Sequence, residues 1–316
     1  MRYIDQLKDY KSKNKTAVTL GKFDGFHRGH QLLIEKIKEH SSAEVDSLLL
    51  AFDIGGKGLL TKEEQKEKMR EEVDVFISCP LSDEIKKMSP EKFVEEVLVE
   101  KLNVKYLVVG ADFHFGCDRS GNVSLLEECS GKFGFHLEVI PKMTVDGKEI
   151  SSTLIKEALE KGEIHLGNQM LGYDYEISGV VRSGKKLGRR LGFPTLNIVP
   201  DKRKVLPKYG VYGCKVELEY SKDNIERCFL GKGVDSVSEW KEKVGICNIG
   251  TKPTAVDTGQ PMAESHVFDF QGEAYGREAK VKLLFFVRPE KKFNSVEELK
   301  KQVEQDIGVV KASLQL

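Results

Sequence analysis

TAVTLGKFDGFHRGHQLLIEKI, residues 16 to 37, passes from an apolar run through a glycine-rich turn into a helical pattern. A strand that hands over to a helix through so short a connection is the opening unit of a parallel sheet wrapped by helices. The alternation continues outward. The apolar runs SLLLAF, VDVFISC, YLVVG and LEVI are separated by amphipathic segments up to about residue 165. One such segment, SPEKFVEEVLVEKL, carries its own start signals: Ser89 can cap, Pro90 suits the first helical position, and Phe93, Val97 and Leu102 fall on one face. Within the turn, His27 and His30 stand three residues apart at the entry to the helix and can face one point. Gly21, Gly25 and Gly29 let a ligand approach the backbone, and the helix beginning near Gly29 offers unpaired N–H groups to phosphate. A lone histidine at a helix start is more often packed or solvated, but H-x-G-H following G-x-F-D-G after a single residue favours charge stabilisation during phosphate transfer.

After about Gly172 the period changes. YEISGVV, VYGCKVELEY, VGICNIG, SHVFDF and KVKLLFFV are alternating strands punctuated by glycine and proline, which predicts an antiparallel barrel. A closing helix follows, with a capping box of Ser295 and Glu298 and with Val296, Leu299, Val303, Ile307 and Val310 at spacings of three and four. It is expected to pack on the barrel as a lid or brace. The join lies near GNQMLGYDY, residues 167 to 175.

The barrel half contains GRRLGFPTLNI at 188 to 198. Pro194 stiffens the chain before Thr195 and Asn197, whose oxygens, two residues apart on an extended chain, point the same way, as two hard ligands for Mg²⁺ would. Lys185, Lys186, Arg189 and Arg190 add positive charge suited to a polyphosphate. Taken alone, such residues more often make a basic surface loop.

Composition bounds the rest. At 316 residues the chain is long enough for two domains. Fifty basic and fifty acidic residues cancel, so no global positive field would hold it on nucleic acid or an anionic membrane. The charged N-terminus lacks a signal-peptide pattern, and no stretch approaches the ~20 apolar residues of a membrane span, so a cytoplasmic protein is expected. Six cysteines without C-x-x-C pairing signal neither zinc nor a disulfide framework.

Taken together, the turn motif, the block GADFHFG at 110 to 116, ISSTLIK at 150 to 156, GRRLGFPTLN, NIGTKPT at 248 to 254 and ESHVFDF followed by AYG resemble, in this order, the bacterial bifunctional riboflavin kinase/FAD synthetase family. The resemblance covers nearly the whole chain. It implies an α/β nucleotidyltransferase-like doubly wound parallel sheet (residues 1–168, FMN adenylyltransferase) followed by a six-stranded Greek-key β-barrel of riboflavin kinase type with a C-terminal helix (residues 169–316). By the same resemblance His27 and His30 stabilise the transferring phosphate of ATP, and Gly21, Phe23, Asp24, Gly25, Ser151, Ser152, Thr153 and Lys156 bind nucleotide. Asp112 and Phe113 then bind flavin. In the barrel Gly192, Phe193, Pro194, Thr195 and Asn197 bind nucleotide, Thr195 and Asn197 with Mg²⁺. Asn248, Thr251 and Arg277 lie at the flavin, and Glu264 is the general base for the riboflavin 5′-hydroxyl. His266, two residues on, is read as a supporting residue.

The implied activities are ATP-dependent phosphorylation of riboflavin to FMN and adenylylation of FMN to FAD with release of pyrophosphate. The partners are the small molecules riboflavin, FMN and ATP, without membrane or nucleic acid, and the expected state is a monomer. The chain departs from the family at Lys156, where arginine is commoner, at Leu196, where alanine is usual, and most consequentially after the second strand. Phe52-Asp53-Ile54-Gly55-Gly56-Lys57 stands where such proteins carry Phe-acidic-Pro-His-Pro. Two alternatives follow: a kinase with a degenerate first domain, or a flavin-sensing regulatory protein. Intact Thr195, Asn197 and Glu264 argue against loss of all chemistry. Trp240 lies in a charged insert with no functional reading.

Overall fold

Six strands lie side by side in one parallel sheet. They are β1 (Arg2–Ile4), β2 (Lys15–Gly21), β3 (Val45–Asp53), β4 (Val75–Pro80), β5 (Val104–Gly110) and β6 (His136–Ile140), ordered β1-β4-β3-β2-β5-β6. The protein is seen in a computed structural model that describes residues 1–183, 188, 191–219, 242–251, 259–270 and 274–316. Lys185, Lys186, Arg189, Arg190, Trp240 and Thr254 lie outside the described residues.

Neighbouring side chains on a strand point to opposite faces, and here both faces are covered. Val18, Leu48 and Leu50 pack with Phe93 and Leu98 on one side, while Ala17, Leu49 and Ala51 pack with Ile34 and Ile37 on the other. Burial on both faces is why these strands read as unbroken apolar runs. β1 escaped that pattern because it is three residues long, and it joins the edge by pairing Arg2, Tyr3 and Ile4 with Val75, Phe76 and Ile77.

The helices of this unit are α1 (Arg28–Glu39), α2 (Lys62–Met69), α3 (Asp83–Lys87), α4 (Pro90–Lys92) and α5 (Val123–Phe133). Ser89 caps α4, its hydroxyl accepting from the Lys92 N–H at 3.3 Å. From Phe93 to Lys101 the chain continues as a π-helix. The step of four and then five residues from Phe93 to Val97 to Leu102 suits i→i+5 bonding, and the Leu102 N–H donates to the Val97 carbonyl at 2.9 Å. The chain passes from β2 to β3 and β4 on one side, then places β5 on the other side of β2. This reversal opens a crevice at the carboxyl ends of β2 and β5, where ligands bind in open α/β sheets.

The chain divides into two compact units, Met1–Ser152 and Thr153–Leu316. The first also carries a short hairpin, β7 (Thr144–Val145) with β8 (Lys148–Glu149). α6 (Ser152–Lys161) and α7 (Ile164–Leu171) lead into a closed barrel of β9 (Glu176–Arg182), β10 (Leu196–Ile198), β11 (Gly210–Glu219), β12 (Lys243–Thr251), β13 (Pro261–Val267) and β14 (Glu278–Pro289). Its order is β10-β13-β12-β11-β14-β9. β11, β12 and β13 follow as hairpins and β14 returns beside β11, which is a Greek key. β10, only three residues, is the strand that periodicity does not mark.

One face of the barrel strands is sealed: Leu196, Ile198, Tyr212, Cys214, Cys247, Ile249, Ala263 and Ser265 are all at most 6% exposed. The closing helix, α8 (Val296–Ser313), covers part of the other face, where Val303, Ile307 and Val310 pack with Val211, Ile246 and Phe268. Ser295 caps α8 through the Glu298 N–H at 3.1 Å, but the Glu298 carboxylate reaches back to the Asn294 N–H, one residue before the cap. Val296, expected on the packed face, is 47% exposed.

Candidate functional site

Three neighbouring barrel strands present a row of polar side chains. Asn197 on β10 stands opposite Glu264 on β13, and Glu264 stands opposite Asn248 on β12. The row continues through Val211 on β11 to Arg288 on β14. All five line one cavity of about 470 Å³, with Thr195, His266, Glu290, Lys291, Phe293 and the α8 residues Leu299, Val303 and Asp306. A volume of this size suits a small-molecule site. The side chains between them, Leu196, Ser265 and Cys247, point into the barrel, so the period of two that fills the core also delivers the polar row.

Asn197 is 5% exposed, and its Oδ1 is buried without a hydrogen-bond partner among the described residues. Its amide nitrogen makes only a long contact of 3.4 Å with the Thr195 carbonyl. A buried acceptor left unpaired costs about 1–3 kcal/mol, so the site is built to receive a donor or a cation. No cluster of three or more His, Cys, Asp or Glu side chains able to hold a metal occurs among the described residues. Neutral oxygens from Thr195 and Asn197 therefore fit a hard cation such as Mg²⁺ only when anionic phosphate completes its shell.

His266 supports this wall. Its Nδ1 lies 3.0 Å from the Pro194 carbonyl, which can only accept, so Nδ1 carries the proton. Its ring meets Phe193 edge-on at 5.5 Å, and burial holds its pKa below the usual histidine range. His266 thus ties β13 to the segment that places Thr195.

At the other end of the cavity Asp306, 2% exposed, receives the Arg288 guanidinium in a fork, with Nε at 2.9 Å and Nη2 at 2.7 Å, and Gln302 Nε2 at 3.1 Å. Phe293 lies 5.8 Å from the Arg288 guanidinium. Sequence reasoning passed over these residues. The signal was there: Asp306 interrupts the apolar stripe of Val303, Ile307 and Val310, and a carboxylate on a packed face needs a cation. Of the other expected barrel residues, Phe193 lines the cavity, while Gly192 takes φ +89° in the turn before it. Thr251 is exposed at the end of β12, and Arg277 is 7% exposed and does not line the cavity.

In the sheet unit the turn after β2 and the loop after β5 border the crevice. His27 caps α1, its Nδ1 accepting from the His30 N–H at 3.4 Å. That leaves its proton on Nε2, free to be donated elsewhere. The two imidazoles stack at 3.6 Å, with Phe23 packed 4.7 Å from His30. Burial pushes the His27 pKa down to about 4, with the nearby Asp24 opposing, and burial and His27 hold His30 well below the usual value. Both rings are therefore neutral at pH 7. The Nδ1 of His30 is enclosed without a hydrogen-bond partner among the described residues.

Phe23 and Phe26 are 1% and 2% exposed and take φ of +45° and +41°, values costly for bulky residues. The Asp24 carboxylate accepts from the Leu59 N–H at 2.6 Å, and its carbonyl accepts from the Ser152 hydroxyl at 2.8 Å. Ser151 precedes this contact, and Thr153 and Lys156 follow on α6 in the second unit. On the far side of the crevice Asp112 pairs with Lys142 at 3.1 Å, and Phe113 stacks on Phe115 at 5.6 Å.

The altered segment after β3 has a conformation of its own. Gly55 and Gly56 take φ of +76° and +86°, which proline cannot adopt. Asp53 is used locally, accepting from the Gly55 N–H at 2.8 Å and pairing with Lys62 at 3.5 Å.

Comparison with known proteins covers both units. A riboflavin kinase family model matches residues 171–314 and an FAD synthetase model matches residues 9–154. A bifunctional riboflavin kinase/FMN adenylyltransferase of Pseudomonas fluorescens is 31% identical over 324 residues, covering 99% of this chain and 97% of its own. The protein so named in Escherichia coli K12 is 34% identical over 302 residues, covering 92% and 90%. A crystal structure of a macrolide-efflux protein from Streptococcus pneumoniae superposes with a TM-score of 0.81 at 24% identity, over 98% of both chains, and bears on the fold alone.

Proposed function

The chain belongs to the bifunctional riboflavin kinase/FMN adenylyltransferase family and serves FAD biosynthesis, and from that premise we propose how its own residues divide the work. The kinase reaction takes place in the barrel cavity, within residues 169–316, and adenylyl transfer in the sheet crevice, within residues 1–168. Neither alternative, a degenerate first domain or a regulator without chemistry, is favoured, since each unit is matched by its family model over most of its length.

The observation that carries the kinase assignment is the in-register row Asn197, Glu264 and Asn248 facing one cavity. Glu264 accepts the proton of the riboflavin 5′-hydroxyl as that oxygen attacks the γ-phosphorus of ATP. Thr195 and Asn197 are the residues that would hold Mg²⁺, and the buried, unpaired Asn197 Oδ1 fits that use. The ion supplies neutralising charge to the phosphates when bound. The apolar and aromatic end, Phe293, Leu299 and Val303, suits a flat ring system, with Asn248 and Glu290 between it and Glu264 suited to a polyol chain.

In the crevice His27 donates from Nε2 to the α-phosphate as the FMN phosphate attacks and pyrophosphate leaves. Neutral histidine suits this role, because a donor is needed and no proton has to be delivered. Asp112 and Phe113 border the flavin side. No helix among the described residues is long and apolar enough to cross a membrane. The proposed state is a monomer acting on small molecules in the cytoplasm.

The test is a product time course with riboflavin, excess ATP and Mg²⁺, and a parallel run started from FMN. FMN that rises and then gives way to FAD is the expected result. FMN that accumulates in both runs would remove adenylyl transfer from the first unit.

A further inference from the structure

Three separate segments of the sheet unit meet at Asp24. Its carboxylate accepts from the Leu59 N–H at 2.6 Å, a short charge-assisted bond, and its main-chain oxygen accepts from the Ser152 hydroxyl at 2.8 Å. Leu59 is fully buried and Leu60 nearly so, so the clipped loop is anchored on its own side. A Cβ placed on Gly58 would come within 3.3 Å of Asp24 Oδ1 and 3.0 Å of the Leu60 carbonyl, so the backbone passes the carboxylate closely. On the other side Asp24 sits between Phe23 at φ +45° and Gly25 at φ +87°, two residues before Phe26 at φ +41°. Left-handed conformations at buried phenylalanines persist only where surrounding contacts over-determine them. The Gln31 side chain adds a further tie, donating to the Phe26 carbonyl at 2.8 Å.

We propose that Asp24 is a positioning residue for adenylyl transfer: it locks the strained turn bearing His27 and His30 to the loop after β3 and to Ser152, and does not itself bind nucleotide. This rests on the adenylyltransferase reading of the sheet unit and reassigns a residue that resemblance placed at the nucleotide. The mechanism is geometric. Release of the Leu59 clip lets the turn relax toward ordinary backbone angles, which carries the His27 Nε2 donor away from the phosphate. Misplacement of about 1 Å in such a group lowers turnover about 10²-fold.

The experiment uses the full chain with FMN and MgATP, reading kcat and KM for FAD formation separately, and with riboflavin as a check on the barrel unit. Asp24→Ala is expected to lower kcat for FAD formation by about 10 to 10²-fold with little change in KM. Asp24→Asn retains an Oδ1 acceptor for Leu59 and is expected to restore most of that loss. Gly58→Ala crowds the carboxylate from the other side and should lower kcat by an intermediate factor, a result that stands even if Asp24→Ala unfolds the sheet unit. Asp24→Asn as impaired as Asp24→Ala overturns the proposal, because the negative charge would then act on the reactants directly. Unchanged kcat in Asp24→Ala also overturns it. A wild-type chain that forms FMN but no FAD removes the adenylyltransferase reading itself, which is a different failure.

Discussion

Asn197 and Glu264 face each other across the β10–β13 ladder, one an amide whose oxygen is buried and unpaired among the described residues, the other a carboxylate lining the same cavity. Directly opposed residues have Cβ atoms about 4.5–5.5 Å apart. In the proposed kinase reaction, a phosphate held at Asn197 would lie within reach of an alcohol whose proton goes to Glu264.

Replacing Glu264 by glutamine keeps its shape and hydrogen-bonding capacity but removes the proposed base. Riboflavin phosphorylation should fall by about 10²–10⁴-fold, while FAD formation from supplied FMN is unchanged. An unaltered phosphorylation rate would take Glu264 out of the mechanism.

Asn197→Leu should separate stability from function. Removal of a buried, unpaired acceptor is expected to stabilise the ligand-free protein by about 1 kcal/mol while abolishing kinase turnover. Thermal unfolding without ATP or Mg²⁺, set beside the phosphorylation rate, measures both. A lower melting temperature would show that the amide is structurally satisfied in solution.

Asp306→Ala leaves the Arg288 guanidinium in a largely enclosed position without its carboxylate. Loss of one member of such a pair typically costs about 3–5 kcal/mol, at the lower end here because the Arg288 side chain retains 19% exposure. Denaturant unfolding should show this loss, together with a raised KM for riboflavin, since Arg288 and Asp306 border the cavity.

Acid should weaken the sheet unit through His27. Its folded pKa of about 4 lies below the ordinary 6.5, so between these values the unfolded chain binds the proton and the folded chain does not. Stability from this group is therefore fully present above about pH 6.5 and is lost as pH falls toward 4, by up to about 3 kcal/mol. His27→Gln should flatten the stability–pH curve in that window relative to wild type. Identical curves would mean that His27 is not buried as described.

Gly56→Pro, a step toward the family's usual segment, should damage the first unit. Proline cannot take φ +86°, so the loop must move, and FAD formation should drop while FMN formation persists. Enhanced FAD formation would show that the loop tolerates the other path.

The local patterns were legible in the chain itself. Unbroken apolar runs marked the parallel strands because both sheet faces are buried, and the change to alternation after Gly172 marked the barrel. His27, His30, Thr195 and Asn197 stood out by residue type and spacing, whereas Glu264 stood out only through the resemblance to the family. What lay beyond reach involved pairing. β10 is too short to show a period, and only the ladder with β13 sets Asn197 opposite Glu264. Arg288 and Asp306, eighteen positions apart, become one unit because α8 folds back over β14. Asp24 reaches Leu59 and Ser152 because a β-sheet crossover brings distant loops to one crevice. Sequence determines which residues carry chemistry and which period each segment follows, since those depend on composition and on neighbours a few positions away. Which of them meet is decided by strand register and helix packing, which depend on contacts among residues far apart in the chain.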